Sequence, residues 1–368
     1  MDRGAKNDAR SAPHGARRLL RTAALAALAL VGAAPALAQA PAAPAGPVPL
    51  AVLGDSDSHA YQDSISFPPG SGDRGGPYRP RTFQWTEVLA RLRAGVIDPG
   101  PWEINGQNRL VAALGELADL PGVRSPRKQD YRFNVATSGA GCEALTDGPH
   151  RQVQPLLQRM AQGDKARWRQ GVVVIRIGLI NMTQPGFLDA LSRDPAAPAQ
   201  QRVMTTCLSH VTRAVEMIRA AFPQTHIVLV GVFNEANDPL QFGSFQSRTA
   251  MDNIDRGLDR YDGGLRELAA RTPHASFFDD RAWFRSVWGQ RGADGKPAYR
   301  DLKIGDRLTV TLSVGNEPTH GLTGDDHWGL AANAKWAQAM SGHLASAGLP
   351  VRPIEDAEVQ RFVEAQLR

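Results

Sequence analysis

Short apolar runs alternate with longer segments of helical periodicity along most of this chain. Runs rich in Val, Ile and Phe predict buried strands at 48–53, 131–136, 172–177, 227–232 and 276–278. Apolar residues spaced three or four apart predict helices at 83–92, 153–160, 203–222, 254–270, 330–344 and 354–367. This alternation predicts an α/β fold, a doubly wound, flavodoxin-like parallel sheet of about five strands with helices on both faces.

Two regions interrupt the alternation. Residues 64–81 are dense in Gly, Pro and Arg, which predicts a long loop over the exit of the first strand. Residues 293–314 begin with a turn pair at 294–295 and continue with near-alternating polarity, which predicts an inserted β-hairpin. Either insertion would flank the rim of the sheet, as a wall of the substrate channel or as a plain surface excursion.

The N-terminal segment has the pattern of a secretory signal. Arg17, Arg18 and Arg21 precede an apolar stretch at 22–34, and the small residues at 36–38 fit a signal-peptidase site. The apolar stretch is shorter than the ~20 residues that a membrane span needs. We therefore predict a signal peptide at 1–38, a Pro/Ala linker at 39–47, a domain at 48–368 and a periplasmic or secreted protein, with the export route left open.

The charge of the chain lies mostly in this N-terminal segment. The full chain has 42 basic and 37 acidic side chains and a net charge of +5, and residues 1–38 contribute six basic and two acidic ones. The domain alone is therefore near +1. Its composition gives no reason to expect nucleic acid or a membrane surface as a partner, and it leaves the oligomeric state open.

Cys142 and Cys207 are the only cysteines of the chain. In an oxidising compartment they can form one disulfide, and two buried thiols are the alternative. Neither cysteine has histidines nearby at the spacing of a zinc site, so we expect no zinc.

Polar residues with catalytic chemistry follow the predicted strands. Ligands of doubly wound sheets bind beyond the carboxyl ends of the strands. A Gly-Asp-Ser sequence that ends in Ser56 follows the first strand, and Asn181 and Asn234 follow the third and fourth. Carboxylates precede His327 just before the 330–344 helix. Serine as nucleophile, histidine as base, a carboxylate and N–H donors form the set that acyl transfer needs.

These motifs resemble those of the SGNH hydrolases, also called the GDSL esterase/lipase family. Residues 54–56 match the nucleophile block, 134–139 and 173–181 look like the second and third blocks, and His327 falls where the fourth is expected. The resemblance spans about residues 48–345 and implies the SGNH hydrolase fold. It also implies Ser56 as nucleophile, an oxyanion hole from Ser56, Gly139 and Asn181, and no cofactor or metal.

The chain departs from the family pattern in two blocks. The third block has one extra residue before Asn181, and Met182 stands where the family has Asp. In the fourth block Gly324 replaces the aspartate three residues before the histidine. Residues two apart in an extended segment share a face, so we predict that Asp325 rather than Asp326 orients His327. A main-chain carbonyl in that role, with both aspartates capping the next helix, remains an alternative.

These residues predict an exported serine esterase that acts on ester bonds of a small-molecule or carbohydrate substrate, with carbohydrate O-acetyl groups as one candidate. Transfer of the acyl group to a sugar would use the same acyl-serine. One alternative is a metal-dependent phosphoesterase that uses Asp55, Asp57, His59, Asp63, Asn316, His320, Asp325, Asp326 and His327. Another alternative is a catalytically weakened domain of the same fold that binds glycan.

Some nearby residues have competing interpretations. Ser58 is a rival nucleophile, and His59 can line the pocket, cap a helix or lie on the surface. Four tryptophans are candidates for aromatic pocket walls or for the core: Trp85, Trp283, Trp288 and Trp328.

Overall fold

The computed structural model describes residues 46–118, 127–147 and 150–368. The strands are β1 Val48–Gly54, β2 Ile97–Asp98, β3 Trp102–Asn105, β4 Lys128–Tyr131, β5 Val172–Arg176, β6 His226–Val230, β7 Ala275–Phe278, β8 Leu302–Ile304, β9 Leu308–Val314 and β10 His320–Leu322. The α-helices are α1 Trp85–Leu92, α2 Arg109–Leu117, α3 Val153–Met160, α4 Leu179–Met182, α5 Phe187–Arg193, α6 Pro198–Ala221, α7 Arg248–Arg271, α8 Asp280–Trp288, α9 Leu330–Ser346 and α10 Asp356–Gln366. The predicted signal peptide and most of the predicted linker lie outside the described residues.

A five-stranded parallel sheet in the order β2-β1-β5-β6-β7 forms the centre of the protein. The predicted doubly wound sheet of about five strands is therefore confirmed. The chain first builds outward from β1 to β2 and then continues on the other side with β5, so the strand order reverses between β1 and β5. A crevice opens at such a reversal, beyond the carboxyl ends of the two strands. Ser56 lies two residues after the end of β1 at this crevice.

The predicted strand at 131–136 is wrong in its extent. The strand β4 ends at Tyr131 and pairs antiparallel with β3, and the short β2 takes the edge of the main sheet. Residues 133–137 still run beside β1, because the Val52 amide donates to the Phe133 carbonyl and the Val135 amide donates to the Val52 carbonyl. The side chain of Asn134 accepts from the Ala136 amide and donates to the Ser58 carbonyl, and this local bonding replaces a regular ladder.

Helices cover both faces of the sheet, as predicted. Successive β1 residues point to opposite faces, with Leu50 and Val52 in one core and Ala51 and Leu53 in the other. The first core is closed by α1, α8, α9 and α10. The second core is closed by α3, α5, α6 and α7. Burial on both faces explains why the strands are apolar runs without polar alternation.

The two insertions have different structures. Residues 64–81 contain no strand and no α-helix and end in a 3₁₀-helix at Gly76–Arg81. Within 293–314 the predicted hairpin is present as β8 and β9, although it begins only at Leu302. The strand β10 then pairs parallel with β9 and leads directly to the segment with His327.

Cys142 and Cys207 form a disulfide, with Cα atoms 5.1 Å apart. The bond links the loop after 137–141 to α6, on the second core. The alternative of two free thiols is therefore wrong. Among the described helices, none combines the length and the apolarity that crossing a membrane requires.

Replacing both cysteines by serine should lower the free energy of unfolding by about 4 kcal/mol, because the disulfide closes a loop across a sequence separation of 65 residues. Urea denaturation checks this. Reductant should destabilise the wild type to a similar extent and leave the double variant unchanged. Equal denaturation midpoints for the oxidised wild type and the double variant would contradict the prediction.

Candidate functional site

The turn that carries Ser56 is organised by Asp55. The Asp55 carboxylate accepts the Asp57 amide at 3.0 Å, and the Asp55 carbonyl accepts the amides of Ser58 at 3.2 Å and His59 at 3.1 Å. Burial and then the charge of Asp57 raise the pKa of the Asp55 carboxyl to about 7. Asp55 is therefore a structural residue of the turn, and Ser56 keeps 7% exposure at the rim.

Gly54 lets β1 approach β5 closely where this turn begins. A Cβ atom at position 54 would lie 2.3 Å from the Arg176 carbonyl oxygen, which no side chain tolerates. The glycine of the Gly-Asp-Ser sequence is therefore required by strand packing.

Arg176, at the end of β5, holds the turn that carries Ser56 through its contacts with Asp57. Its guanidinium donates to the Asp57 carbonyl at 2.9 Å and pairs with the carboxylates of Asp57 at 3.1 Å and Asp280 at 3.3 Å. It also lies 4.5 Å from the Trp336 ring centroid. Sequence reasoning missed this residue, although a charge that ends an otherwise apolar buried strand was a usable signal.

His327 lies on a tight turn that Thr323 closes. The Thr323 amide donates to the His327 carbonyl at 2.7 Å, and the Thr323 hydroxyl donates to the Asp325 carboxylate at 2.7 Å. Asn316 accepts the Gly324 amide at 2.9 Å. Asp326 adopts a left-handed conformation with φ 63°, which is uncommon for a residue other than glycine. Hydrogen bonds therefore fix the turn at Thr323, at Gly324 and at His327.

The main-chain carbonyl of Asp325 is the nearest acceptor for the His327 ring. His327 Nδ1 lies 2.6 Å from that carbonyl oxygen and 3.4 Å from the carboxylate oxygen Oδ2 of Asp325. The structure thus brings Asp325, and not Asp326, to His327. Neither aspartate caps the next helix, since α9 begins after Gly329 without a side-chain cap. Among the described residues, every polar contact of the ring is made by Nδ1, which leaves Nε2 open.

Two backbone amides at the site are available as donors. Gly139 is exposed and has φ +78°, a conformation that glycine adopts without strain. Within the described part of the chain, neither the Gly139 amide nor the Ser56 amide makes a backbone hydrogen bond. Both are therefore free to bind an oxyanion.

Asn181 is held against the same loop as Gly139. Its side-chain oxygen accepts the Cys142 amide at 2.8 Å, and its Nδ2 lies 3.4 Å from a carboxylate oxygen of Glu143. The extra residue of the third block lies in the short helix α4, which begins after Gly178 with φ 121°. The structure thus places Asn181 near the Gly139 loop despite the altered spacing.

His59 is buried and braces the Gly139 loop. Its Nδ1 accepts the Ser138 amide at 3.1 Å, and its Nε2 lies 2.8 Å from the Asp63 carboxylate. Burial and then the charge of Lys128 lower the pKa of His59. It is therefore neither a surface residue nor a pocket wall. Ser58, the rival nucleophile, is fully buried beside Trp85 and cannot meet a substrate.

Arg74 enters the site from the 64–81 loop and was missed by sequence reasoning. Its backbone amide donates to the Asp325 carboxylate at 2.9 Å, and its guanidinium contacts that same carboxylate. The guanidinium also lies 2.7 Å from His327 Nδ1 and 3.1 Å from the Ser138 hydroxyl. No pattern in the sequence separates Arg74 from the other arginines of this loop.

The residues of the alternative metal site do not fit a metal centre. Asp57 pairs with Arg176, Asp63 with His59, and Asp325 with Arg74. In the described segments, no group of three or more His, Cys, Asp or Glu side chains is arranged to hold a metal.

The four candidate tryptophans all belong to the core, at 5% exposure or less.

Further carboxylates surround the mouth of the site. Burial, then the charges of Asp238, Asp326, Asp57 and Asp55, raise the pKa of Glu235. Burial and then Asp326 raise the pKa of Asp238 to about 8. Part of this cluster is therefore protonated at neutral pH, which limits repulsion between the groups.

No family model matches the sequence, and no curated protein matches it significantly. Several solved structures are similar. A lipase from a goat rumen metagenome has 14% identity and a TM-score of 0.38, over 82% of this chain and 98% of its own. A protein described as a GDSL-like lipase from Parabacteroides merdae has 14% identity and a TM-score of 0.35, over 82% and 96%. An extracellular lipase from Streptomyces rimosus has 16% identity and a TM-score of 0.35, over 80% and 99%. Because the TM-scores lie below 0.5, these similarities carry no conclusion about function.

The raised pKa of Asp238 should make stability fall as pH rises. The folded state keeps this proton up to about pH 8, whereas an unfolded aspartate loses it near its usual pKa of 3.8. Between these values the folded state binds more protons, so the free energy of unfolding decreases with pH. In denaturation experiments between these two pH values, the free energy of unfolding of D238N should decrease less steeply with pH than that of the wild type.

Asp252, whose side chain is 46% exposed, offers a matched control, and D252N should keep the wild-type slope. A D238N variant with the wild-type slope would contradict the assignment.

Proposed function

We propose that this protein is a serine ester hydrolase of the SGNH type, with Ser56 as nucleophile and His327 as general base. The observation that carries the proposal is the convergence of three segments. His59, from the nucleophile turn, contacts Ser138, and Arg74 joins Ser138 to His327. The Tyr61 hydroxyl, on the nucleophile segment, also donates a hydrogen bond to the Trp328 carbonyl at 3.0 Å.

The arrangement supports a two-step acyl transfer. Ser56 Oγ bonds to the ester carbonyl carbon while its proton passes to His327 Nε2, and the carbonyl π electrons move to oxygen. The amides of Ser56 and Gly139 and the side chain of Asn181 donate to that oxyanion. Its collapse breaks the ester C–O bond, and the His327 proton goes to the departing alkoxide. Water, activated by His327, then hydrolyses the acyl-serine and restores Ser56.

We propose acetyl groups on a carbohydrate as the substrate class. Polar groups at the rim support a polar alcohol component, since Glu143 and Asp326 are exposed, and the partly exposed Glu235 interacts electrostatically with Asp326 and with Asp57 of the nucleophile turn. Transfer of the acetyl group to a sugar in place of water would use the same residues.

We also propose that the protein acts in the periplasm or outside the cell. The disulfide supports this location, because disulfides persist in oxidising compartments. The signal pattern of residues 1–38 points the same way.

Replacing Ser56 by alanine should abolish release of acetate from p-nitrophenyl acetate and from an O-acetylated polysaccharide, because the variant lacks the hydroxyl on which the acyl-enzyme forms. It should also abolish labelling by a fluorophosphonate probe. The matched control is S58A, which removes a buried hydroxyl two residues away and should keep both activities.

The same assay separates the alternatives. Activity of S56A, together with loss of activity on chelation, would favour the metal-dependent phosphoesterase. Inactivity of the wild type on every ester, with retained binding of polysaccharide, would favour the glycan-binding domain.

Replacing Asn181 by alanine should lower kcat about a hundredfold to a thousandfold and change KM little, because an oxyanion donor acts mainly in the transition state. Steady-state kinetics on p-nitrophenyl acetate measures this. E143A keeps Asn181 in place by its bond to the Cys142 amide and should lose much less activity. A drop in N181A no larger than that in E143A would show that Asn181 is only structural.

A further inference from the structure

Arg74 combines a buried guanidinium with a left-handed backbone conformation. Its side chain is 4% exposed, and its backbone has φ 53°, a left-handed conformation that is strained for a non-glycine residue. Burial of a guanidinium is unfavourable unless partners compensate it. Phe67, whose ring centroid lies 4.3 Å from the guanidinium carbon, supplies one such contact. The Tyr61 ring centroid lies 5.4 Å from the same atom, and the polar partners of the guanidinium are Asp325, His327 and Ser138 of the candidate site.

Both oxygens of the Asp325 carboxylate bind Arg74. One oxygen accepts the Arg74 amide and the Thr323 hydroxyl, and the other contacts the guanidinium. Burial alone would raise the pKa of Asp325, but hydrogen bonding to His327 and the Arg74 charge lower it below its usual range. The carboxylate therefore stays ionised, with its Oδ2 atom at 3.4 Å from His327 Nδ1, farther away than the main-chain carbonyl oxygen at 2.6 Å.

We propose that Arg74 is a positioning residue for the general base: it retains the Asp325 carboxylate, so that the Asp325 main-chain carbonyl orients His327. The guanidinium also lies against the imidazole, where its charge opposes that of the carboxylate. When His327 takes the Ser56 proton, the new positive charge meets an arginine and an aspartate that largely offset each other. This inference rests on the proposed function and assigns the loop at 64–81 a part in it.

The ionisable groups around His327 come from several segments. They are Arg74 on the loop, Asp325 and Asp326 on its own turn, Asp55, Asp57 and His59 on the nucleophile segment, and Glu235 and Asp238 after β6. A substitution at Arg74 leaves all the others in the chain. A change in the pH profile of the variant therefore reports the charge at position 74.

R74Q should lower kcat on p-nitrophenyl acetate about tenfold to a hundredfold with little change in KM, because the base loses its orientation. Loss of the neighbouring cation should also move the acid limb of the kcat/KM profile to higher pH, by about one pH unit. R74K keeps the charge but lacks the planar fork that reaches Asp325 and Ser138 together. It should lower kcat and keep the wild-type acid limb.

The matched control is R79A, in the same loop. Arg79 donates to the Tyr61 carbonyl at 3.0 Å and touches neither Asp325 nor His327, so R79A should keep the wild-type acid limb. Thermal unfolding of each variant identifies any that fail to fold. If R74Q does not fold, the kcat of R74K tests whether Arg74 positions His327. A wild-type acid limb in folded R74Q, or a wild-type kcat in R74K, would overturn the proposal.

Different variants test the serine mechanism and the positioning role of Arg74. An active S56A variant would refute the serine mechanism itself. An inactive S56A beside an R74Q with wild-type kinetics would refute only the role of Arg74.

Discussion

The buried ion cluster around Arg176 is the interaction on which the site depends. Arg176 ends a central strand and bonds to both the carbonyl and the carboxylate of Asp57, next to Ser56. Asp280 pairs with the same guanidinium and accepts the Trp336 indole N–H at 2.6 Å, which connects the cluster to α9. A buried cation must keep its partners, because losing one leaves an uncompensated charge. The position of Ser56 is therefore tied to the middle of the sheet and not to its loop alone.

The rest of the site follows the same principle, with loops held by buried charges. Lys128 donates to the Ala136 carbonyl and pairs with Asp130 at 2.9 Å, below the loop that carries Gly139. Arg74 does the same for the His327 turn. Loops on a sheet rim have few apolar contacts, so charged hydrogen bonds are the available means of fixing them. Each such pair also removes a carboxylate from the set that could bind a metal.

The parts that sequence predicted well depend on local pattern. Apolar runs located β1, β5, β6 and β7, because strands covered on both faces must be continuously apolar. The strand predicted at 131–136 was mostly wrong, since side-chain bonds of Asn134 compete with the ladder and leave no trace in hydrophobicity. Asp325 was correctly placed beside His327, but the sequence could not show that its carbonyl would lie closer than its carboxylate. That outcome depends on Arg74, which is 251 residues away along the chain.

The sequence by itself determined the fold class, the position of Gly54-Asp55-Ser56 at the exit of β1, and the order of the candidate residues, because these depend on periodicity and on the direction of parallel strands. Only the tertiary structure decided the pairing of Cys142 with Cys207 and the burial of Ser58 and His59. It also decided which arginine of the 64–81 loop enters the site. These are contacts between distant segments, and a contact between distant segments depends on how the whole chain packs, which no local pattern records.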